Sequence, residues 1–556
     1  MNRLLICLLA SVLTWPLAAF ATANAKKPNI LLLVADDLGF SDLSALGSEI
    51  ATPNLDRLLR QGRLLLDFHS APACSPTRAM LMSGNDPHLA GLGMMSEARS
   101  RLPEGSEVHP GYEGVLGDNV ATLAELLRDA GYRTYIAGKW HLGGAPEQQP
   151  HRRGFDQAYV LLEGGSAHFK QANMGLMPNY PWTFVHNGQA LELPDDFYSS
   201  TWFTERLMAM IGSAEDRPFF ALAAYTSPHW PLQAPDAYLE QQRGRYDRGY
   251  EVLAEERLAR QRQLGMVAAD YRPRPLLEGV PAWNALSPEE QQRSARSMEV
   301  YAAMVRSLDD QIGRLVDFLR QRGELDNTLI VFMSDNGPES LVRGDPAWVA
   351  EHFDNRLENY GRRDSFLSTG PAWAQVSALP NRRYKMTPYE GGIRVPAFVH
   401  FPRRFSEGSS DQFASVRDVL PTLVELAGAS LPGVSYRGRS VIVPQGTSLL
   451  AHLEGRDALV HSPGATQGWA MLGSAAMRRD RLKLLFDLKH KAPGWRLYDL
   501  ARDPGERHDL AAQHPQLVAQ LLRDWRAYAQ RNNIVLQANG QPLFPAVQAP
   551  AVVAGP

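Results

Sequence analysis

The sequence predicts an α/β protein. A large, mainly parallel mixed sheet is sandwiched by helices, and a smaller C-terminal α+β domain carries an antiparallel sheet. Three observations carry this expectation. Continuous apolar runs recur along the chain and read as strands buried on both faces. Stretches with apolar residues three and four apart lie between those runs and read as amphipathic helices. After about residue 430 the pattern changes to short strands separated by turns.

The chain opens with Met1-Asn2-Arg3, an apolar stretch over residues 4–13, and Ala23-Asn24-Ala25 before Lys26-Lys27. This is the form of a secretory signal peptide cleaved after Ala25. The apolar stretch is too short for a membrane anchor and is broken at Pro16. Residues 1–25 are therefore expected to be a leader, and the mature protein a soluble one exported to the periplasm. Of the two cysteines, Cys7 lies in the leader, so Cys74 stands alone. A lone thiol forms no intramolecular disulfide, and one cysteine makes no zinc site. A buried apolar thiol or a reactive centre remains. The 556 residues carry a formal net charge of -3, which gives no electrostatic argument for nucleic acid or an anionic membrane. Any anion site must be a local concentration of Lys, Arg and His.

Four apolar runs end in polar residues. Asn29–Ala35 precedes Asp36-Asp37-Leu38-Gly39, and 132–137 precedes Gly138-Lys139-Trp140-His141. Phe219–Ala224 precedes Tyr225-Thr226-Ser227-Pro228-His229, and 328–333 precedes Ser334-Asp335-Asn336-Gly337. Ligands of open α/β sheets bind beyond the carboxyl ends of the strands, so four such ends predict one composite site. Helices are expected over 53–62, around Val120, Leu123 and Leu127 with Gly131 closing, along Met298 to Leu319, and over 416–427 before Gly428. The segments 235–290 and 338–375 read as insertions that wall the site and set its preference. Trp182, Trp230, Trp348 and Trp373 suggest an apolar or sugar-stacking rim, or core positions. The catalytic unit is expected over 26–430 and the second domain over 431–556. The second has strands at 481–486 and 495–500, a helix from about Pro515, and a loose Pro- and Ala-rich tail after Gln541.

Asp36 and Asp37 alone would read as a helix cap or turn. Asp335 and Asn336 close another strand in the same way. Three carboxylates and an amide oxygen suit a hard divalent cation, Ca²⁺ or Mg²⁺.

Cys74-Ser75-Pro76-Thr77-Arg78 is joined by Gly138-Lys139-Trp140-His141-Leu142-Gly143 and by Ser227-Pro228-His229. Tyr384-Lys385 follows, then Glu390-Gly391-Gly392-Ile393-Arg394-Val395-Pro396. In this order and spacing the set resembles the type I, formylglycine-dependent sulfatases of the alkaline phosphatase superfamily, and among them bacterial arylsulfatases. The resemblance implies hydrolysis of a sulfate monoester to an alcohol or phenol plus sulfate. It implies that a maturation enzyme oxidises Cys74 to formylglycine, whose hydrate is the nucleophile. It favours Ca²⁺ over Mg²⁺, with Asp36, Asp37, Asp335, Asn336 and residue 74 as ligands. Arg78, Lys139 and Lys385 would surround the sulfate, and Asp335 would act as base toward the attacking hydroxyl. His141 would orient or deprotonate the second hydroxyl. His229, with Lys385, would serve the leaving group. The implied partners are a small sulfate ester and the maturation enzyme, and the protein is expected to be a monomer. Two other readings stay open: a phosphate or phosphonate ester hydrolase of the same fold, and a non-catalytic binding protein in which Cys74 remains a thiol.

Overall fold

The computed structural model describes residues 26–213, 216–272, 275–342 and 345–545. The expected leader at 1–25 lies outside the described residues. In chain order the strands of the main sheet are β1 (Asn29–Ala35), β2 (Arg63–Leu65), β3 (Arg133–Lys139), β4 (Gln157–Leu161), β5 (Phe184–His186), β6 (Gln189–Ala190), β7 (Phe219–Ala224), β8 (Thr328–Ser334), β9 (Ala397–His400) and β10 (Gly408–Ser410). Their spatial order is β10-β2-β9-β8-β1-β7-β3-β4-β5-β6. The five central strands, β8, β1, β7, β3 and β4, run parallel to one another.

The apolar runs fill both faces of this sheet, as a strand period of two requires. In β1, Leu31, Leu33 and Ala35 join the core on one face, while Ile30, Leu32 and Val34 join the core on the other. The register then fixes the site. Ala35 pairs with Ser334, Val34 with Ala224, and Gly138 with Ala224. The carboxyl ends of β8, β1, β7 and β3 therefore finish level, and the polar residues that follow emerge side by side. Gly138 is needed for this. Its φ is +126°, and a Cβ there would stand 1.8 Å from the carbonyl oxygen of Ala224.

The helix marked by Met298, Tyr301, Val305, Leu308, Ile312, Leu315 and Leu319 runs over Pro288–Gln321. Ser287 and Glu290 form its capping box, and Pro288 occupies its first turn. The helix around Leu123 spans Leu123–Asp129, with Thr122 and Glu125 as capping box and Gly131 at φ +91° just beyond. The one expected over 416–427 is a 3₁₀ turn, Val416–Asp418, followed by Val419–Leu426. The Asp418 carboxylate is turned back onto the Ser415 amide at 2.8 Å, which tightens that first turn.

The C-terminal sheet has four antiparallel strands: β11 (Thr466–Met471), β12 (Ser474–Arg479), β13 (Leu482–Phe486) and β14 (Trp495–Asp499). The sequence reading anticipates β13 and β14 but not the β11–β12 hairpin, whose Ala470, Ala475 and Ala476 carry little strand propensity. The Pro515–Arg531 helix packs Leu521, Trp525 and Tyr528 against Leu484, Phe486 and Leu497 on one face. The other face sets Trp469, Leu485 and Tyr498 against Tyr389 and Ile393 of the main domain. Of the two alternatives for Trp373 the core one holds, and the loose tail expected after Gln541 needs correction in its described part. Trp373 is fully buried core, ringed by Tyr246, Tyr250 and Trp283, and forms no rim. The described part of the stretch after Gln541 folds back: Leu543 N–H donates to the Val535 carbonyl at 2.8 Å, and Phe544 packs with Leu102 and Val535. The remainder, from 546, lies outside the described residues. Among the described residues no helix is long and apolar enough to cross a membrane.

Candidate active site

Cys74 is the first residue of a fully buried ten-residue helix, Cys74–Ser83. Pro76 sits in its first turn, where a missing N–H costs nothing. Arg78 lies one turn further on the same face, which explains the spacing of the Cys74–Arg78 motif. The Thr77 hydroxyl receives the Ala71 amide at 3.0 Å and holds the chain entering the helix.

The level strand ends bring the predicted groups into one buried cluster. The Cys74 thiol donates to Asp36 Oδ1 at 3.3 Å and lies 3.8 Å from Asp37 Oδ1. Lys139 Nζ donates to Asp36 Oδ2 at 2.7 Å. Lys385 Nζ reaches the two Asp37 oxygens at 2.7 and 2.9 Å. Arg78 donates from Nε and Nη2 to Asp335 Oδ2 at 3.1 and 2.8 Å, and from Nη1 to the Lys139 carbonyl at 2.9 Å. Asp335 Oδ1 receives the Asp37 amide at 3.3 Å. Asn336 donates to Asp37 Oδ1 at 2.6 Å. His229 Nε2 stands 3.6 Å from Asp37 Oδ2, and its Nδ1–H donates to the Trp230 carbonyl at 2.5 Å. Asp37, His141 and Met386 hold the left-handed backbone region, at φ +65°, +58° and +66°. Non-glycine residues keep such conformations only where their surroundings enforce them.

Burial and mutual charge set the protonation states. Burial would raise the Asp36 carboxyl, but the cations Lys139, Arg78 and Lys385 outweigh it and hold it well below the usual range. Asp37 goes the other way: burial, with Asp36 beside it, pushes it up to about 7 against the pull of Lys385. Burial, aided by Asp335 and Asp36, lifts the Cys74 thiol well above its ordinary value. Burial would discharge Lys139 and Lys385, yet Asp36 and Asp37 keep both protonated. Burial drives His229 well below its ordinary value, so its imidazole is neutral.

Ligand atoms of Asp36, Asp37, Cys74 and His229 lie within 4.8 Å of one another. Asp335 stands outside this tightest group, turned toward Arg78. Asn336 Oδ1 is buried without a partner. An orphaned amide oxygen beside crowded carboxylates is what an oxygen-coordinated divalent cation would satisfy, so the donor set fits one.

Above the charged ring opens a cavity of about 340 Å³. Cys74, His141, His229 and Lys385 form its floor, Met95, Leu102, Leu176, Met177, Trp230 and Phe544 make most of its wall, and Glu97, Arg101, Tyr180 and Glu339 are the polar groups of that wall. Of the two insertions expected to wall the site, 338–375 supplies Glu339 to the lining, and among the described residues 235–290 supplies none. The walls come instead from 95–102, 164–180 and the second domain. Trp348 lies a layer behind Trp230, both against Phe366. Trp182 is exposed.

Sequence reasoning missed four polar residues of the lining, Glu97, Arg101, Tyr180 and Glu339, the first and third of which meet. Glu97 Oε1 accepts from His141 Nε2 at 2.8 Å and from the Tyr180 hydroxyl at 3.1 Å. Neither Glu97 nor Tyr180 follows a strand or belongs to a quoted motif. Glu97 lies on a single helical turn, Ser96–Arg99, whose short apolar Met94-Met95 lead gives no signal of its placement.

The sulfatase family model matches residues 28–429. An arylsulfatase of Klebsiella aerogenes is 40% identical over 436 residues, covering 77% of this chain and 92% of its own. An uncharacterised sulfatase of Schizosaccharomyces pombe is 43% identical over 529 residues, covering 92% of this chain and 95% of its own. Among solved structures, that of Ps i-CgsB superposes with a TM-score of 0.65 at 26% identity, covering 91% of this chain and 94% of its own. The structure of BT4656 with its substrate D-glucosamine-2-N,6-O-disulfate shares the fold at a TM-score of 0.60 and 20% identity, covering 91% of this chain and 98% of its own.

Proposed function

The chain belongs to the sulfatase family and is a sulfate ester hydrolase; from that premise we propose that it acts on sulfate monoesters of apolar aryl or alkyl alcohols, with residue 74 as formylglycine. The observation that carries the substrate class is the cavity itself. Its floor is cationic and fit for a sulfate, while most of its wall is thioether, aliphatic and aromatic side chains, with Glu97, Arg101, Tyr180 and Glu339 as the polar exceptions. Glu97 is already bonded to Tyr180 and to His141, so most hydroxyls of a sugar would meet apolar wall, at a cost of about 1–3 kcal/mol for each one buried without a partner.

The state of Cys74 supports its conversion. A thiol lifted above its ordinary value by its own burial, with Asp335 and Asp36 adding to it, is not a thiolate and attacks poorly. Asp36, Asp37, Asp335 and Asn336 would hold the cation, Ca²⁺ by family resemblance. When bound, the cation supplies Lewis-acid polarisation, and the aldehyde at residue 74 supplies a hydrated nucleophile. The chain's own residues do the rest. Lys139, Lys385 and Arg78 sit as fixed charges around the ester's anionic head and need no reorganisation as charge develops. Lys385, kept protonated by Asp37, is the standing donor to the departing oxygen. His229 has given its Nδ1–H to the Trp230 carbonyl. It therefore presents Nε2 as an acceptor and donates only after taking a further proton, which a bound anion favours. His141 moves or holds a proton beside residue 74. We place the mature protein in the periplasm, on the strength of its leader-like N-terminus.

The test is turnover of 4-nitrophenyl sulfate, 4-nitrophenyl phosphate and glucosamine 6-sulfate by protein matured with a formylglycine-generating enzyme. The aryl sulfate is expected to lead the other two in kcat/KM by at least about tenfold. Cys74→Ala is expected to fold and be inactive. A lead for the phosphate or the sugar, or near-wild-type activity of Cys74→Ala, overturns the reading.

A further inference from the structure

Among the polar groups around the cavity, His141 is held in an unusual way. Its backbone is in the left-handed region, and its amide donates to the Leu162 carbonyl at 3.0 Å, so the residue is pinned from behind. Its ring is pinned from the front. Nε2 meets Glu97 Oε1 at 2.8 Å, and the Tyr180 hydroxyl donates to the same oxygen at 3.1 Å. The Gly164 amide in turn donates to the Tyr180 oxygen at 3.0 Å. A directed chain results: Gly164 N–H to Tyr180 O–H to Glu97, with the His141 N–H arriving at Glu97 from the other side.

Two further observations concern this chain. Gly164 is packed so tightly against the pair that a Cβ would lie 2.8 Å from Glu97 Oε1, from His141 Cε1 and from His141 Nε2. Only glycine leaves room for the bond. The remaining ring nitrogen, His141 Nδ1, is buried and has no partner. It belongs to a side chain that lines the same cavity as Cys74.

We propose that Glu97 is a positioning residue that fixes His141 as the Nε2–H tautomer and so leaves Nδ1 as a proton acceptor at residue 74. A carboxylate accepts and never donates, so the ring nitrogen facing it must carry the hydrogen. The other nitrogen then keeps its lone pair. Acid–imidazole pairs in hydrolases use this logic, and replacing the acid by its amide costs about 10⁴-fold in kcat through the wrong tautomer. Here the tyrosine hydroxyl and the glycine amide keep Glu97 from turning away. The role given to Nδ1 rests on the sulfatase reading of His141, whereas the tautomer does not.

The experiment uses full-length protein labelled with ¹⁵N-histidine, in the unconverted Cys74 form, with the His141 signals assigned by their loss in His141→Gln. The wild type is expected to show the Nε2–H tautomer. Glu97→Gln combined with Tyr180→Phe removes the hydroxyl that would hold the amide oxygen at the Oε1 position, leaves the Ser96 hydroxyl to hold it at the Oε2 position, and turns the amide N–H to Nε2; this double variant is expected to shift the tautomer toward Nδ1–H. In matured protein the same variant is expected to lose about 10²- to 10⁴-fold in kcat with KM changed less than about threefold. Its conversion of residue 74 and its melting temperature should stay at wild-type values. Glu97→Asp should restore part of kcat, and Tyr180→Phe should keep the tautomer. A His141 tautomer unchanged in the double variant overturns the proposal, whatever happens to kcat. If that double variant does not fold, the wild type and Glu97→Asp decide: the Nε2–H tautomer in both, with part of kcat kept in Glu97→Asp, supports the proposal, and a wild-type His141 found as Nδ1–H overturns it. A wild type inactive on every sulfate ester would remove the sulfatase role and leave the tautomer result standing.

Discussion

Two buried ionic clusters lie at the two ends of the segment running from Lys385 to Glu390, and they differ in what completes them. The first gathers Asp36, Asp37 and Asp335 with Lys139, Lys385 and Arg78 at the strand ends. The second gathers Asp67, Glu390 and Glu506 with Arg478 and Lys483 where the C-terminal sheet meets the main domain. Either would pass as a metal site on ligand types alone, since Asp67, His69 and Glu390 converge as Asp36, Asp37, Cys74 and His229 do. In the second, the protein supplies its own cations. Lys483 bridges Glu390 at 2.7 Å and Glu506 at 2.9 Å, and Arg478 grips Asp67 while stacking over Phe413. Both nitrogens of His69 are engaged, by the Asp67 carbonyl and by Glu390. In the first, Asn336 Oδ1 and His141 Nδ1 are left over, and a cavity opens above them. A buried ionic network whose polar atoms are all used is a fastener; one with acceptors to spare is a site.

The sharpest way to break this contrast is to remove one acid from each cluster. Asp37→Asn is expected to lose the bound divalent cation and at least about 10³-fold in kcat/KM. Asp67→Asn should keep both. Metal content of the purified variants, beside aryl sulfate turnover, decides this, and equal metal loss in the two would erase the distinction. Next in size is the fastener. Lys483→Met leaves Glu390 and Glu506 facing each other in a dry seam, with an expected loss of about 3–5 kcal/mol in denaturant unfolding. The KM of the molecules that remain folded should not move. A large KM change would mean that the seam shapes the site directly.

The smallest effect is a pH slope. Burial, with Glu390 beside it, pushes Glu506 up to about 7 against the pull of Lys483, from 4.5 in the unfolded chain. Between those values the folded protein holds a proton that the unfolded chain has released. This contribution to stability is therefore full below about 4.5 and fades as pH rises through 7. Glu506→Gln should flatten that limb by about 1–2 kcal/mol. Melting temperatures of both proteins across pH 4.5 to 8 test it, and parallel curves would show that Glu506 does not carry the slope.

Much of the fold was legible because the strands bury both faces. An unbroken run such as Asn29–Ala35 fits few places other than a central parallel strand, and its polar terminus then points to a site. The motif residues were legible for a related reason: Cys74 and Arg78 act through a one-turn helical spacing. The second domain was half legible. β13 and β14 carry Leu, Phe, Trp and Tyr, whereas the alanines of β11 and β12 gain their strand state only from neighbours. The cavity walls were least legible. Met95, Leu176 and Phe544 come from three distant stretches with no shared pattern, and Trp373 shows that an aromatic residue within an insertion can as well be core.

The chain by itself determined which groups meet in the buried cluster, since Asp36, Asp37, Cys74, Lys139 and Asp335 are local consequences of where strands and a helix begin and end. Tertiary structure alone decided their charge states, the partner of His141 and the apolar character of the cavity. Those properties depend on burial and on distances of a few ångströms between residues far apart in sequence, and both electrostatic energy and hydrogen-bond direction are set by such distances.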